Sequence, residues 1–273
     1  MDTSTQIKKM QAARALRLGD KSPRQVGAEK ANLVLLWIYR WGWASPTTVG
    51  LVGSDNQNGL AARLVRRGFL NKIRTESGGG QRDVPAYILT LTELGRHEVE
   101  RLITDPDDLL PYDVDPYRIN QTLLRHDHMA QTATAKALAS GTISGYQTER
   151  ELRQKSQKSM KQPDVVWQQG SDHLTAVEIE LSAKWERDLD QFVRSCIYAM
   201  TEGRNGEPPR FQHIAVVSDA PAIVTRYKRA FSPGASYGIW KRDEKSRHWK
   251  QERTAEVPDW VEERMLWKLV EHR

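Results

Sequence analysis

The sequence predicts a mixed α/β (α+β) protein that is organised in two domains. Near the start of the chain, apolar residues recur at helical spacing and are followed by two short strand-like runs. From residue 118 onward, helical and strand-like runs alternate, which favours a sheet covered by helices. An acidic, proline-rich segment at 105–117 separates these regions, so we expect it to be the linker between the domains. A chain of 273 residues is long enough for about two cores.

The charge of the chain favours a polyanionic partner. It contains 41 Lys and Arg residues against 35 Asp and Glu residues. Of these, 16 cationic and 9 acidic residues lie within residues 1–103, so the excess of positive charge is mainly N-terminal. Residues 1–27 combine basic side chains with few large apolar ones, and we expect a basic, flexible arm there.

The composition argues against membrane-spanning and disulfide-rich classes of protein. No uncharged apolar run is long enough to span a bilayer, and the start of the chain lacks the pattern of a secretory leader. The single cysteine, Cys196, cannot form an intrachain disulfide, and its apolar neighbours at helical spacing predict that it packs in a core. We therefore expect a cytoplasmic protein without a membrane span.

The order of the helices and strands predicted for residues 28–104 indicates the kind of domain they form. A helix containing Leu33, a second helix opened by Ser45 and a third helix precede two strand-like runs at 69–74 and 87–90. A glycine-rich loop joins the two runs, and a further helix follows them. This order of elements resembles a winged helix-turn-helix domain.

The resemblance to winged helix-turn-helix domains implies contacts with duplex DNA. In such domains the third helix enters the major groove, and the wing contacts the backbone or the minor groove. The side chains that would read base edges are Asn56, Gln57 and Asn58. Those that would bind phosphates or line the wing are Arg63, Arg66, Arg67, Lys72, Gln81 and Arg82. The alternative is that these side chains are merely solvated and that the domain contacts protein.

Carboxylates on two short apolar runs are the most informative feature of the second domain, residues 118–273. Asp164 precedes a strand-like run, a polar turn follows, and the returning run carries Glu178 and Glu180. Asp164 should therefore lie opposite the Glu178 region across a hairpin. Carboxylates that face one spot repel each other unless a hard cation such as Mg²⁺ binds their oxygens. The same alternation is also typical of a half-exposed strand, so both interpretations stay open.

The order of short motifs in the second domain carries a family resemblance. A helix, Thr-Glu-Arg-Glu-Leu-Arg at 148–153, Pro-Asp-Val-Val at 163–166 and Glu-Ile-Glu-Leu-Ser-x-Lys at 178–184 resemble the PD-(D/E)xK nuclease superfamily. With a winged helix ahead of them and Leu-Arg-His-Asp at 124–127, residues 28–218 resemble plasmid replication-relaxation proteins and MobC-type relaxases. This resemblance implies a DNA nickase that cleaves one strand at a plasmid transfer origin, with Mg²⁺ or Mn²⁺ as cofactor. The partners it implies are double-stranded plasmid DNA, a single-stranded nic region, and accessory mobilisation proteins or a coupling protein.

The resemblance also assigns roles to individual side chains. The implied catalytic set is Asp164, Glu178, Glu180, Lys184, Glu149 and His126. Within it, Asp164, Glu178 and Glu149 correspond to the acidic metal ligands. Glu180 stands where the commonest pattern has a lysine, and Lys184, four residues later, would reach back and offset charge on the phosphate in the transition state.

Other interpretations of these residues stay open. A DNA-binding regulator of plasmid replication or transfer would keep the nuclease-like domain as a scaffold only. The run His126-Asp127-His128 would also suit a metal motif of tyrosine relaxases or a His-Asp phosphohydrolase, and Tyr117 and Tyr146 are candidate nucleophiles for a tyrosine mechanism. Tryptophans near the C-terminus, interleaved with basic residues, would either stack on unpaired bases or anchor a C-terminal helix in the core.

Overall fold

Helices and strands occur in both halves of the chain, which confirms the mixed α/β class. The structure, a computed structural model, describes residues 20–53, 59–155, 162–203, 206–243 and 245–270. The chain divides into two units, Met1–Gln121 and Thr122–Arg273. Most of the predicted basic arm, residues 1–19, lies outside the described residues. The arm was expected to extend to residue 27, but a helix already begins at Pro23.

Local sequence signals set the elements of the first unit. In chain order they are α1 (Pro23–Trp41), α2 (Pro46–Val52), α3 (Gly59–Arg66), β1 (Leu70–Arg74), β2 (Tyr87–Leu91) and α4 (Glu93–Glu100). Helix α1 begins with a capping box between Ser22 and Gln25. Helix α2 begins after Ser45, whose hydroxyl accepts a hydrogen bond from the backbone N–H of Thr48 at 3.0 Å. Strands β1 and β2 pair antiparallel.

The buried face of α1 includes only part of its apolar residues. Leu33, which helped to mark the helix in the sequence, is 55% exposed. The helix buries Val34, Leu35, Trp37 and Ile38 against α4 and β2. Helical spacing alone leaves the choice of face open, because neighbouring apolar positions on this helix offer more than one stripe.

The acidic segment 105–117 packs onto the first unit, although its composition predicted a linker. Leu110 is buried, and its backbone N–H and C=O bond to the hydroxyl of Tyr39 at 2.9 and 2.8 Å. The ring of Tyr112 stacks on Tyr39, and the Tyr112 hydroxyl donates to the backbone oxygen of Gly42 at 2.9 Å. Two tyrosines therefore hold the segment in place, and the boundary between the units falls later, after Gln121.

The second unit is built around a five-stranded mixed sheet. Its elements are α5 (Leu124–Ala139), β3 (Gly145–Thr148), α6 (Glu149–Lys155), β4 (Val165–Gln169), β5 (His173–Ile179), α7 (Glu186–Met200), β6 (His213–Ser218), α8 (Pro221–Ala230), β7 (Ser236–Arg242), β8 (Trp249–Glu256), α9 (Val261–Arg264) and β9 (Met265–Leu269). The sheet has the order β3-β4-β5-β6-β9. Strands β3, β4 and β5 are antiparallel, whereas β6 and β9 continue parallel to β5. Strands β7 and β8 form a separate antiparallel pair.

Helices cover both faces of this sheet. Val166 belongs to a buried cluster that includes Phe192 and Cys196 of α7 and Tyr227 of α8, so the predicted core position of Cys196 is confirmed. The next residue, Trp167, points to the opposite face, since successive side chains alternate across a strand. Its indole N–H donates to the Thr134 hydroxyl of α5 at 2.9 Å. The sheet is thus held between α5 on one side and α7 with α8 on the other.

The C-terminal region differs from the prediction of a helix anchored by tryptophans. The β7–β8 hairpin and the short helix α9 lead into β9, which extends the sheet beside β6. Trp260 and Trp267 pack against the core, whereas Trp240 and Trp249 lie on the hairpin. Among the described residues, no helix is long and apolar enough to cross a membrane.

Candidate functional site

Charged side chains gather where β5 and β6 end, an edge of the sheet that we call the carboxyl edge. Strand β4 is antiparallel to β5, so the residue before β4 also lies at this edge. The N-terminal turn of α5 contributes cations to it. The side chains in contact there are Asp164, Glu180 and Asp219 among the carboxylates, and Arg125, His126 and Lys184 among the cations. Glu178 lies on the last part of β5, where it is buried.

Asp164 is fixed opposite the end of β5. Its backbone N–H donates to the oxygen of Val177 at 3.1 Å, and its Oδ2 accepts a hydrogen bond from the N–H of Ile179 at 2.7 Å. Asp164 therefore lies opposite Glu178, as the hairpin predicted. Oδ2 also lies 3.2 Å from Nε2 of His126. Hydrogen bonds to the backbone of β5 thus orient Asp164, and His126 of α5 lies beside its carboxylate.

His126 is a cation in this setting. Burial lowers the pKa of its ring, but hydrogen bonds to Asp127 and Asp164 outweigh that effect and raise the pKa from 6.5 to about 10. The distance from Nδ1 to Oδ1 of Asp127 is 3.1 Å. Since both ring nitrogens face carboxylates, the doubly protonated ring is the favoured form at neutral pH. The Leu-Arg-His-Asp motif at 124–127, which is part of the family resemblance, therefore places a positive charge beside Asp164.

The residue before His126 makes a second ion pair at the same edge. The Arg125 guanidinium pairs with the carboxylate of Asp219, whose side chain is only 3% exposed. Asp219 directly follows β6, and sequence reasoning did not select it. The available signal was its position after an apolar run, because carboxyl ends of adjacent parallel strands meet at one edge of a sheet. Arg125 and Asp219 are 94 residues apart in the chain, so the tertiary fold brings them together.

Glu180 is buried and bonded through both of its carboxylate oxygens. The hydroxyl of Tyr227 donates to Oε2 at 2.8 Å, and Lys184 forms an ion pair with Oε1. Lys184 thus reaches back by four residues to this carboxylate, and its role toward a phosphate stays a prediction. Burial raises the pKa of Tyr227, and the adjacent negative charge of Glu180 raises it further, so this hydroxyl keeps its proton. The hydroxyl of Ser218 fixes the backbone oxygen of Glu180 at 2.7 Å.

The carboxylate of Glu149 pairs with a neighbouring arginine. Glu149 begins helix α6, and its side chain is 42% exposed and pairs with Arg153, one helical turn later, at 2.6 Å. Glu178, by contrast, is buried on β5. Within the described ranges, no group of three or more His, Cys, Asp or Glu side chains is placed to hold a metal ion. Thr148, the last residue of β3, pairs with Val165, so Glu149 begins α6 at the carboxyl edge, but its carboxylate forms a local i,i+4 ion pair with Arg153.

Asp164 and Glu178 have the donor chemistry that magnesium and manganese ions prefer. Mg²⁺ keeps several waters and is commonly held by one or two carboxylates together with substrate phosphates. Asp164 and Glu178 supply such a pair, because the hydrogen bonds of Asp164 fix it across from β5. A cation bound there would compete with His126 for Oδ2 of Asp164. The donor chemistry therefore suits a hard cation that is partly hydrated.

The candidate DNA contacts of the first unit lie on its surface. Arg63, Arg66 and Arg67 are exposed on and just after α3, and Lys72 is exposed on β1. The ammonium of Lys72 lies 4.2 Å from the centroid of the Tyr87 ring. In the loop between β1 and β2, Gln81 and Arg82 are exposed, and Arg82 pairs with Asp83 at 3.3 Å. The predicted base-reading residues Asn56, Gln57 and Asn58 lie outside the described residues.

The tyrosines of the alternative mechanism occupy separate units. Tyr117 lies in the exposed 3₁₀ turn Pro116–Arg118 of the first unit. Tyr146 lies on the edge strand β3, opposite Trp167 of β4. The structure therefore places each of them in a different setting from the carboxylate pair.

Comparisons with known proteins leave the family open. The sequence matches no protein-family model, and no curated protein matches it. Among solved structures, protein VC1899 from Vibrio cholerae is similar at 15% identity with a TM-score of 0.28, over 77% of this chain and 51% of that protein. The chain thus spans about half the length of VC1899, and at this TM-score the similarity does not bear on fold or function.

Proposed function

We propose that the protein binds plasmid DNA through its first unit and cleaves one DNA strand at the carboxyl edge of its second unit, with Mg²⁺ or Mn²⁺ as cofactor. The observation that carries this proposal is the fixed position of Asp164 opposite Glu178, beside the cationic His126. The order α5, β3, α6, β4, β5, α7, β6 supports the resemblance to PD-(D/E)xK nucleases, with α6 as a short helix between the first two strands. In it, Asp164 precedes the second strand of the sheet and Glu178 lies on the third.

DNA binding by the first unit is supported by its element order and its exposed cations. Three helices, a two-stranded hairpin and a further helix follow one another as in a winged helix-turn-helix domain. Arg63, Arg66 and Lys72 are exposed along α3 and the hairpin, where they would bind phosphates. Binding through such cations releases counterions, so the affinity for duplex DNA should fall steeply with salt.

The side chains at the carboxyl edge divide the work of phosphodiester cleavage. Asp164 and Glu178 would hold the metal ion, which when bound polarises the phosphate and activates a water. Lys184, held at the edge by Glu180, would offset the charge that develops on the phosphate in the transition state. His126 carries a proton at neutral pH and would bind a phosphate oxygen.

The biological setting of the proposal rests on the resemblance to plasmid replication-relaxation and MobC-type proteins. In that setting the substrate is a transfer origin in double-stranded plasmid DNA, whose nic region is single-stranded when it is cleaved. Accessory mobilisation proteins or a coupling protein would be the protein partners, and the reaction would take place in the cytoplasm.

A nicking assay with matched variants tests the proposal. Supercoiled plasmid that carries candidate origin DNA is incubated with the protein and Mg²⁺ or Mn²⁺, and open circles are measured. We expect nicking by the wild type and none by Asp164→Asn or Glu178→Gln, since each change removes a ligand charge but keeps the side-chain size. Asp172→Asn removes an exposed carboxylate from the other end of the same hairpin and should nick like the wild type.

Lys184→Ala sharpens the test. It should slow nicking without preventing metal binding, because its proposed contribution arises in the transition state. If Asp164→Asn nicked at the wild-type rate, and chelators had no effect on either protein, the carboxylate centre would be wrong and the tyrosine alternatives would return.

A second candidate function is a non-catalytic DNA-binding regulator of plasmid replication or transfer. The observation in its favour is that protein cations pair with Asp164, Glu180 and Glu149. A scaffold that has lost its metal would be stabilised in this way. A specific footprint on DNA, together with unchanged plasmid and a melting temperature insensitive to Mn²⁺, would support the regulator over the nickase.

A further inference from the structure

Strands β7 and β8 form a hairpin outside the five-stranded sheet, and its surface is rich in basic side chains. Residues 236–256 contain six Lys and Arg residues against four Asp and Glu residues. All residues of β8 except Ala255 are exposed. The hairpin packs on α7 through Trp240, whose indole N–H donates to Asp190 at 2.8 Å. One side of the hairpin is therefore anchored, and the other faces solvent.

Two lysines stand directly opposite each other on this hairpin. Lys241 pairs with Lys250 in the register of β7 and β8. The ammonium of Lys250 lies 4.0 Å from the carboxylate of Asp243, which offsets part of the repulsion between like charges in this pair. The Asp243 carboxylate also accepts hydrogen bonds from the backbone N–H groups of Lys245 and Ser246 at 3.0 and 2.8 Å. A hairpin with lysines at paired, exposed positions of both strands is typical of a surface that binds a polyanion.

Two exposed tryptophans each have an arginine over the ring. Trp249 lies on this hairpin, and Trp185 directly precedes α7, on which the hairpin packs. The guanidinium of Arg187 lies 5.1 Å from the ring centroid of Trp249, and that of Arg226 lies 3.4 Å from the centroid of Trp185. Trp249 is 40% exposed and Trp185 is 64% exposed. Solvent-facing indole rings stack on unpaired bases of any sequence, and adjacent arginines add cation–π and phosphate contacts.

These groups adjoin the carboxyl edge through the backbone. Trp185 directly follows Lys184, which pairs with Glu180 at that edge. The Nε–H of Arg226 donates to the backbone oxygen of Lys184 at 3.1 Å. Arg187 then contacts the hairpin through Trp249. The backbone at 184–187 therefore connects the hairpin contact of Arg187 to the candidate centre at Lys184.

We infer that this surface, formed by Trp185, Arg187, Arg226, Lys241, Trp249 and Lys250, binds single-stranded DNA. Bases stack on the two tryptophans, and the lysines and arginines bind the phosphates between them. An unpaired strand suits the surface better than a duplex, because the bases of a duplex are already stacked on each other. The use of this surface to present a strand to the carboxyl edge rests on the proposed nicking function, whereas the binding itself does not.

Fluorescence anisotropy of the full-length protein with a labelled oligothymidylate of about 15 nucleotides tests this inference. The titration is made at low salt with EDTA. We expect the Trp185→Ala/Trp249→Ala variant to bind about tenfold more weakly than the wild type, since each stacked base is lost. Lys241→Ala/Lys250→Ala should also weaken binding, because it removes two cations from the surface, and should leave the melting temperature close to that of the wild type, because both side chains are exposed. Weaker binding by a protein of unchanged stability separates a lost contact from a lost fold.

Two control variants keep this surface intact. Lys136→Ala removes an exposed lysine from α5, and Tyr198→Ala removes an exposed aromatic side chain from α7, and both should bind like the wild type. Equal losses of affinity for duplex and single-stranded DNA in the double variants would overturn the assignment to an unpaired strand. Wild-type affinity in both double variants, or no binding by the wild type, would overturn the surface itself. Because EDTA prevents metal-dependent nicking, each outcome is independent of whether the protein cleaves DNA.

Discussion

In the first unit the arginines of α3 lie on an exposed face, whereas in the second unit the cations of the carboxyl edge are paired with buried carboxylates. No ion pair joins Arg63 or Arg66 to any of the described residues. Arg125 and Lys184, by contrast, pair with the buried Asp219 and Glu180. The same kind of residue is therefore exposed in the first unit, whereas in the second unit it neutralises a buried charge and contributes to folding.

The largest test of this contrast is the loss of one arginine from each unit. Arg125→Ala should destabilise the second unit by about 3 kcal/mol, because it leaves the buried carboxylate of Asp219 without its cation. Arg66→Ala should change stability by no more than about 0.5 kcal/mol, as expected of an exposed side chain. Denaturant unfolding of the full-length variants measures both values. If the two variants lost equal amounts of stability, the proposed difference between the exposed and the paired arginines would be wrong.

A smaller effect is expected at the hydroxyl that supports Glu180. Tyr227→Phe removes a buried donor to Oε2 of Glu180 and should cost about 1–2 kcal/mol. Tyr198→Phe is the matched control, because Tyr198 is 77% exposed on α7 and should be neutral. Thermal unfolding of both variants distinguishes them. If Tyr227→Phe were also neutral, the network around Glu180 would not contribute to stability.

The smallest effect concerns a histidine at the opposite edge of the sheet, which is paired with another histidine rather than with a carboxylate. His213 Nδ1 lies 2.8 Å from His173 Nε2. Burial lowers the pKa of His213, and the charges of His173 and Arg264 lower it further. The unfolded chain therefore binds a proton near pH 6.5 that the folded protein resists, so stability falls as the pH decreases through this range.

His213→Asn should reduce that dependence on pH. The melting temperature of this variant should fall less than that of the wild type between about pH 7.5 and about pH 5.5. Glu98→Gln, an exposed change in the first unit, is the control and should follow the wild type. A larger fall for His213→Asn than for the wild type would show that the sign is wrong.

Elements with local signals were predictable from the sequence. Ser45 with Pro46 marked the start of α2, and alternating apolar residues around a polar turn marked the β4–β5 hairpin. The reach of Lys184 to Glu180 was also predictable, because four residues of separation keep the two side chains close. The assignment of Glu149 as a metal ligand stays a prediction, and its carboxylate pairs with Arg153 one helical turn away.

By itself, the sequence determined the mixed α/β class, the order of most helices and strands, and the approach of Asp164 to Glu178, since periodicity and turn residues act over a few positions. The tertiary structure decided the packing of the acidic segment on Tyr39, the place of β9 in the sheet, and the pairing of Arg125 with Asp219. These outcomes depend on contacts between residues far apart in the chain. Composition and spacing carry no information about such contacts, because many partners of the same chemical type compete and packing selects one.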